Sequence, residues 1–103
     1  MARYIAVYDI ADTYRDPHAA FIAQAEKLGW STWVWALTAK KWYKLPNTTL
    51  IGDFQDRDAA QAAFNAAAKA ARAEKGELTV EKYFIADWDS ATFDSDVKAD
   101  PAK

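Results

Sequence analysis

The sequence predicts an α+β fold of the ferredoxin-like kind, βαββαβ, with a four-stranded antiparallel sheet carrying two helices on one face. Three observations point to it. Four segments are rich in β-branched and aromatic residues, two segments have helical periodicity with recognisable ends, and they alternate in the order strand, helix, strand, strand, helix, strand. A right-handed crossover in each β-α-β unit folds that order into one antiparallel sheet.

Strand one is Arg3 to Ile10 (RYIAVYDI), a central strand by composition. Asp16-Pro17 then starts a helix: a carboxylate at the cap accepts an orphan amide, and proline at the first helical position has no amide to satisfy. Helix one runs to about Leu28, with Phe21, Ala25 and Leu28 as an apolar stripe beside Ile22, and Gly29 as its left-handed stop. Strand two is Trp30 to Thr38 and strand three Thr48 to Phe54, with a turn region at Pro46-Asn47. Asp56 caps helix two, which runs to about Lys75 and presents Ala60, Ala63, Phe64, Ala67 and Ala71 on one side before Gly76 closes it. Its alanines allow close approach to the sheet, with Phe64 as the large anchor. Leu78 to Trp88 forms strand four.

These elements make residues 1–89 one domain. Residues 90–103, dominated by Asp, Ser, Ala and Lys, are expected to be a tail that is mobile or pinned by a partner, because they have little apolar surface to repay ordering. The 103 residues include no cysteine, which excludes a thiol nucleophile, a zinc-thiolate site and a disulfide framework, and predicts a cytoplasmic address. No stretch is long and apolar enough to span a membrane, and the amino terminus lacks a secretory signature. A formal net charge of -2 argues against blanket neutralisation of duplex phosphates.

Five Trp, five Tyr and five Phe must be accommodated, and alternation along the strands places part of them on the helix-free face. On strand one, Ile5 and Val7 are read as helix-facing, which leaves Tyr4, Ala6 and Tyr8 on the other side. Strand two sorts Trp33, Trp35 and Leu37 from Thr32, Val34 and Ala36, and strand four sorts Phe84, Ala86 and Trp88 from Tyr83 and Ile85; which of these sets faces outward stays open. Either assignment exposes apolar groups. The expectation is a homodimer or other homo-oligomer with Tyr4, Tyr8, Trp33 and Trp35 at the interface. The alternative for the same face is a stacking platform for single-stranded RNA, against which the third strand lacks the glycine-aromatic run of that module.

The connection Ala39 to Asn47 interleaves Lys40, Lys41 and Lys44 with Trp42 and Tyr43; lysines guarding the strand edge of an extended hairpin are the favoured reading, and a surface for nucleic acid or another ligand is the alternative. Asp9 ends an otherwise apolar strand next to a loop with Asp12, Arg15, Asp16 and the single histidine, His18. A carboxylate where a strand opens into a loop is suited to Mg²⁺ or Mn²⁺, above all if two copies pool their carboxylates. Asp12, Asp16 and His18 have turn or helix-start roles, whereas Asp9 has no immediate structural one. No Ser-His-Asp order, phosphate-cradling glycine loop or HExxH motif occurs.

The opening YIAVYDI, a polar loop, a helix ending in LGW and a strand around STWVW together resemble the small CRISPR-associated "Cas two" family and its toxin relatives of the virulence-associated protein D type. The resemblance spans roughly residues 3 to 88 in element order, with the YDI triplet as its specific motif. It implies a dimeric protein of toxin or defence type, with Asp9 of each subunit as the catalytic metal ligand of a phosphodiesterase acting on RNA or DNA. Two departures stand beside it: Arg15 is the only Lys or Arg in IADTYRDPH, and the overall balance is acidic. The competing expectation is a non-enzymatic interaction or small-ligand-binding module built on the aromatic sheet face and the Trp42-Tyr43 segment. A third is a small-molecule enzyme with a cavity on that face and His18 as acid-base group.

Overall fold

The computed structural model describes residues 1–12 and 16–101. Arg15 lies outside the described residues. Among the described residues, seven strands and two helices follow in the order β1 (Ala2–Ile10), α1 (His18–Lys27), β2 (Trp30–Ser31), β3 (Trp33–Ala36), β4 (Lys41–Lys44), β5 (Thr49–Phe54), α2 (Arg57–Lys75), β6 (Val80–Asp87) and β7 (Lys98–Ala99). The fold is α+β with antiparallel pairing, but the strands form two sheets: four strands in the order β2-β5-β1-β6, and three in the order β3-β4-β7.

The expected strand over Trp30 to Thr38 is therefore divided, and a side-chain hydroxyl divides it. Ser31 Oγ accepts the backbone N–H of Trp33 at 3.0 Å and donates to the Trp33 carbonyl at 3.2 Å. A serine bonding two residues ahead offers the backbone a turn in place of the ladder. Thr32, at the break, is buried and its carbonyl accepts the Leu45 amide at 2.9 Å. The chain leaves the large sheet there. It forms the β3-β4 hairpin, with Trp33 opposite Lys44 and Trp35 opposite Trp42, and re-enters at β5. After Asp89 it crosses back to this hairpin, where β7 pairs with β4 and the Lys44 amide donates to the Val97 carbonyl at 2.9 Å.

The core lies between the large sheet and the helices. Tyr4, Ala6, Tyr8 and Ile10 are the buried set of β1, which reverses the expected assignment of Ile5 and Val7 to the helices. The Tyr8 ring meets Phe21 of α1 edge-on at 4.9 Å and Phe64 of α2 at 5.7 Å, so one strand residue locks both helices to the same face. Ala6, Ala60, Ala67 and Ala71 have no accessible surface, and this small-residue contact is what brings α2 close to the sheet. Leu28 is 40% exposed, and Ala20 takes the place expected for it in the α1 stripe beside Phe21 and Ala25.

The ends of α2 are those expected. Asp56 Oδ1 accepts the Ala59 amide at 2.8 Å, and Gly76, at φ 87, closes the helix through its amide to the Arg72 carbonyl. Asp56→Ala is expected to lower stability by about 1 kcal/mol, read as a shift in the urea midpoint with unchanged slope. Helix α1 begins one residue later than expected, with Pro17 outside it as the cap residue; the Asp16 carboxylate accepts the His18 amide at 3.0 Å from just beyond the helix.

Candidate ligand site between the two sheets

The helix-free face of the large sheet is built by register. Antiparallel pairing sets Asp53, Arg3 and Trp88 at one end, then Ile51, Ile5 and Ala86, then Thr49, Val7 and Phe84, and finally Asp9 with Lys82. The three-stranded sheet and residues 88–94 cover the first part of this face. Between the layers lies a cavity of about 450 Å³ whose walls include Ile5, Val7, Val34, Ile51, Trp88 and Phe93. That volume falls in the range of small-molecule sites, and its walls are mostly apolar, as such sites are. Phe93 packs edge-on against Tyr43 at 5.8 Å and so fixes the crossing segment over the opening.

Around this cavity the aromatic groups meet cations. The Arg3 guanidinium sits 4.7 Å from the Trp88 ring centre and donates to the Asp89 carbonyl at 2.6 Å. Lys98 Nζ lies 4.7 Å from the Tyr43 ring, and Lys44 Nζ lies 5.0 Å from the Trp33 ring. Trp35 and Trp42 contact edge-on at 5.1 Å. The Trp88 indole N–H is buried with no acceptor among the described residues. A buried donor in that state costs about 1–3 kcal/mol relative to a satisfied one.

The residues singled out in the sequence fall into three groups. Tyr4 and Tyr8, expected at an interface, are in the helix-sheet core instead, because their phenyl bodies fill the space above the alanine-rich helix. Burial pushes the Tyr8 phenol up to about 12. A phenol raised in the folded state stabilises it fully below the ordinary value near 10, and that contribution is lost as pH rises through the folded value. Tyr8→Phe is accordingly expected to make stability less dependent on pH between about 10 and 12, measured by chemical denaturation across that window.

Trp33, Trp35, Trp42 and Tyr43 form the second layer, which is the hairpin the sequence left partly as a loop. Its lysines differ. Lys40 occupies the hairpin turn at φ 54, Lys41 faces Asp100 at 3.8 Å, and Lys44 reaches inward to donate to Thr32 Oγ1 at 2.8 Å.

Asp9 is exposed on the helix-free face, outside the covered part, with Lys82 as its cross-strand neighbour. A register shift between Asp9 and Ile10 makes a bulge at this end of the β1-β6 ladder. Among the described residues no group of three His, Cys, Asp or Glu is placed to hold a metal ion. Asp9 by itself offers one carboxylate, whereas Mg²⁺ and Mn²⁺ take several oxygen ligands. His18 Nδ1 lies 2.6 Å from Asp16 Oδ1, and hydrogen bonds from the His18 amide and ring hold the Asp16 carboxyl below its ordinary range. Neither residue lines the inter-sheet cavity.

Sequence reasoning missed Ile51, Val34 and Phe93 as cavity walls. Phe93 and Val97 were the available signal: two apolar residues at even spacing in an otherwise polar tail. Comparison with protein-family models, with curated proteins and with solved structures finds no match to this chain. Among the described residues no helix is long and apolar enough to cross a membrane.

Proposed function

We propose that this chain is a non-enzymatic binding module that takes a small apolar molecule between its two sheets. Underneath is a ferredoxin-like βαββαβ unit: the order β2-β5-β1-β6, with α1 after β1 and α2 after β5, supports it, and the β3-β4 hairpin is then an insertion between the second and third strands of that unit. The observation that carries the function is the 450 Å³ cavity with Ile5, Val34, Ile51 and Trp88 in its walls. Apolar walls of this area gain affinity by removing ligand surface from water.

N-phenylnaphthylamine, a neutral apolar dye, tests it. The expected result is saturable fluorescence enhancement with one site per chain, abolished by Ile51→Trp, which fills the cavity, and kept by Leu37→Ser on the exposed hairpin turn. Enhancement that never saturates, or that ignores Ile51→Trp in a folded protein, overturns the reading.

A second reading rests on the uncovered end of the same face. Val7 is 44% and Phe84 67% exposed, side by side and next to Asp9 and the bulge. An apolar pair beside a free carboxylate at a bulge favours a homodimer of the Cas-two type, acting as a metal-dependent nuclease on RNA or DNA, in which two copies of Asp9 share the cation that one copy does not hold. Light scattering on the wild type and Phe84→Lys tests the dimer. Cleavage of short RNA and duplex DNA with Mg²⁺ or Mn²⁺, beside Asp9→Ala, tests the chemistry; a monomeric, inactive wild type removes this reading.

A further inference from the structure

Lys44 is the last residue of β4, half-buried, and it lines both the inter-sheet cavity and the shallow groove of Leu45, Pro46, Asn47 and Asp94 beside it. It stands where the cavity meets the surface. Its ammonium has three hydrogens to donate. One goes to the Thr32 hydroxyl, a neutral acceptor, and the charge lies against the Trp33 ring. The cations nearby are matched differently: Arg3 lies 3.6 Å from Asp89, Lys41 3.8 Å from Asp100, and Lys98 3.8 Å from Asp94. Among the described residues no carboxylate lies within 4.0 Å of Lys44 Nζ. Asp94 also lines the cavity, but its charge is met by Lys98.

Lys44 is half-buried, and its ammonium, with a neutral hydroxyl and a ring as partners, keeps donors and a charge for an anion. An anion arriving there would form a charge-assisted hydrogen bond, stronger than a neutral one. The adjoining walls, Val34, Ile51 and Trp88, demand an apolar body. We propose that the cavity selects an amphipathic monocarboxylate, its apolar body between the sheets and its carboxylate on Lys44. The assignment rests on the binding-module reading above and gives it a ligand class. No covalent step is involved, and Lys44 acts as a countercharge.

Displacement of N-phenylnaphthylamine by octanoate, octanol and octylamine, the ions below their micellar concentrations and the alcohol below its solubility limit, tests the assignment. The expected result is displacement by octanoate and octanol, with octylamine weaker than either. Lys44→Met should weaken octanoate at least about tenfold and octanol less than about twofold. Lys44→Arg, which keeps the charge, should retain octanoate binding, and circular dichroism of each variant reports folding. If Lys44→Met leaves octanoate unchanged, or weakens octanoate and octanol alike while folded, the carboxylate assignment fails and the apolar cavity stands. If the dye itself does not bind saturably, both fail.

Discussion

Phe64→Ala is expected to lower the stability of this chain by about 3–5 kcal/mol, a large share of what a domain of this size has in total. Phe64 is 1% exposed and is the hub of a ring cluster: Tyr8 and Phe21 meet it edge-on, the latter at 5.2 Å, and Tyr83 of β6 stacks on it at 5.2 Å. The buried residues around it on α2 are alanines, whose side chains are too short to fill the void. At roughly 4–8 °C of melting temperature per kcal/mol, the loss should show as a collapse of the thermal midpoint by more than about 12 °C. A drop of under about 4 °C would mean that the helices are held to the sheet by something other than this cluster.

The second large effect is expected at Gly52→Ala, and here the cause is space. A Cβ at Gly52 would lie 2.6 Å from the Gly29 carbonyl oxygen and 2.8 Å from Phe54 Cε2. The first obstacle is backbone. Moving it disturbs the two-residue β2, whose Trp30 pairs with Gly52 and whose ring lies 4.7 Å from that of Phe54. Overpacking of this kind costs about 1–3 kcal/mol, and the upper end is expected because the obstruction cannot rotate away. Gly76→Ala supplies the contrast. Among the described residues nothing lies within 4 Å of a Cβ there, so its cost, about 1 kcal/mol, is that of the left-handed backbone alone. Paired denaturation curves that ranked Gly76→Ala as the more damaging would contradict the close approach of β2 to β5.

Much of the fold was legible because the signals were local. Asp56 and Gly76 bound α2, the alanine stripe around Phe64 identifies its buried side, and each is decided by chemistry within a few residues. The face of β1 was misread although the sequence held the answer: Arg3 and Asp9 share their parity with Ile5 and Val7. Two charged residues in one alternating set argue that this set avoids the closed core. Weighing aliphatic against aromatic side chains obscured that, since tyrosine buries a large ring as readily as valine buries a small branch.

The candidate site was the least legible part, for a physical reason. It exists only because the chain breaks at Thr32 and returns at residues 88–99, and no single segment encodes the meeting of those two stretches. STWVWALT reads as one continuous strand until the Ser31 hydroxyl is seen to take the Trp33 amide. The lysines carried too little information on their own. Their spacing suited a ligand surface and a guarded strand edge alike, and the geometry gives Lys40 to a turn, Lys41 to Asp100 and Lys44 to the cavity rim.

The division of the tryptophans between the layers makes this chain a reporter of its own unlayering. Trp30 alone belongs to the core under the helices, while Trp33, Trp35, Trp42 and Trp88 belong to the second sheet and the face beneath it. Near-ultraviolet fluorescence therefore watches mainly the smaller layer, and far-ultraviolet dichroism watches mainly α1 and α2. Should the hairpin lift from the large sheet to admit a guest, light emission would change while the helical signal stood still, so the opening of the molecule and its unfolding can be told apart without attaching a label.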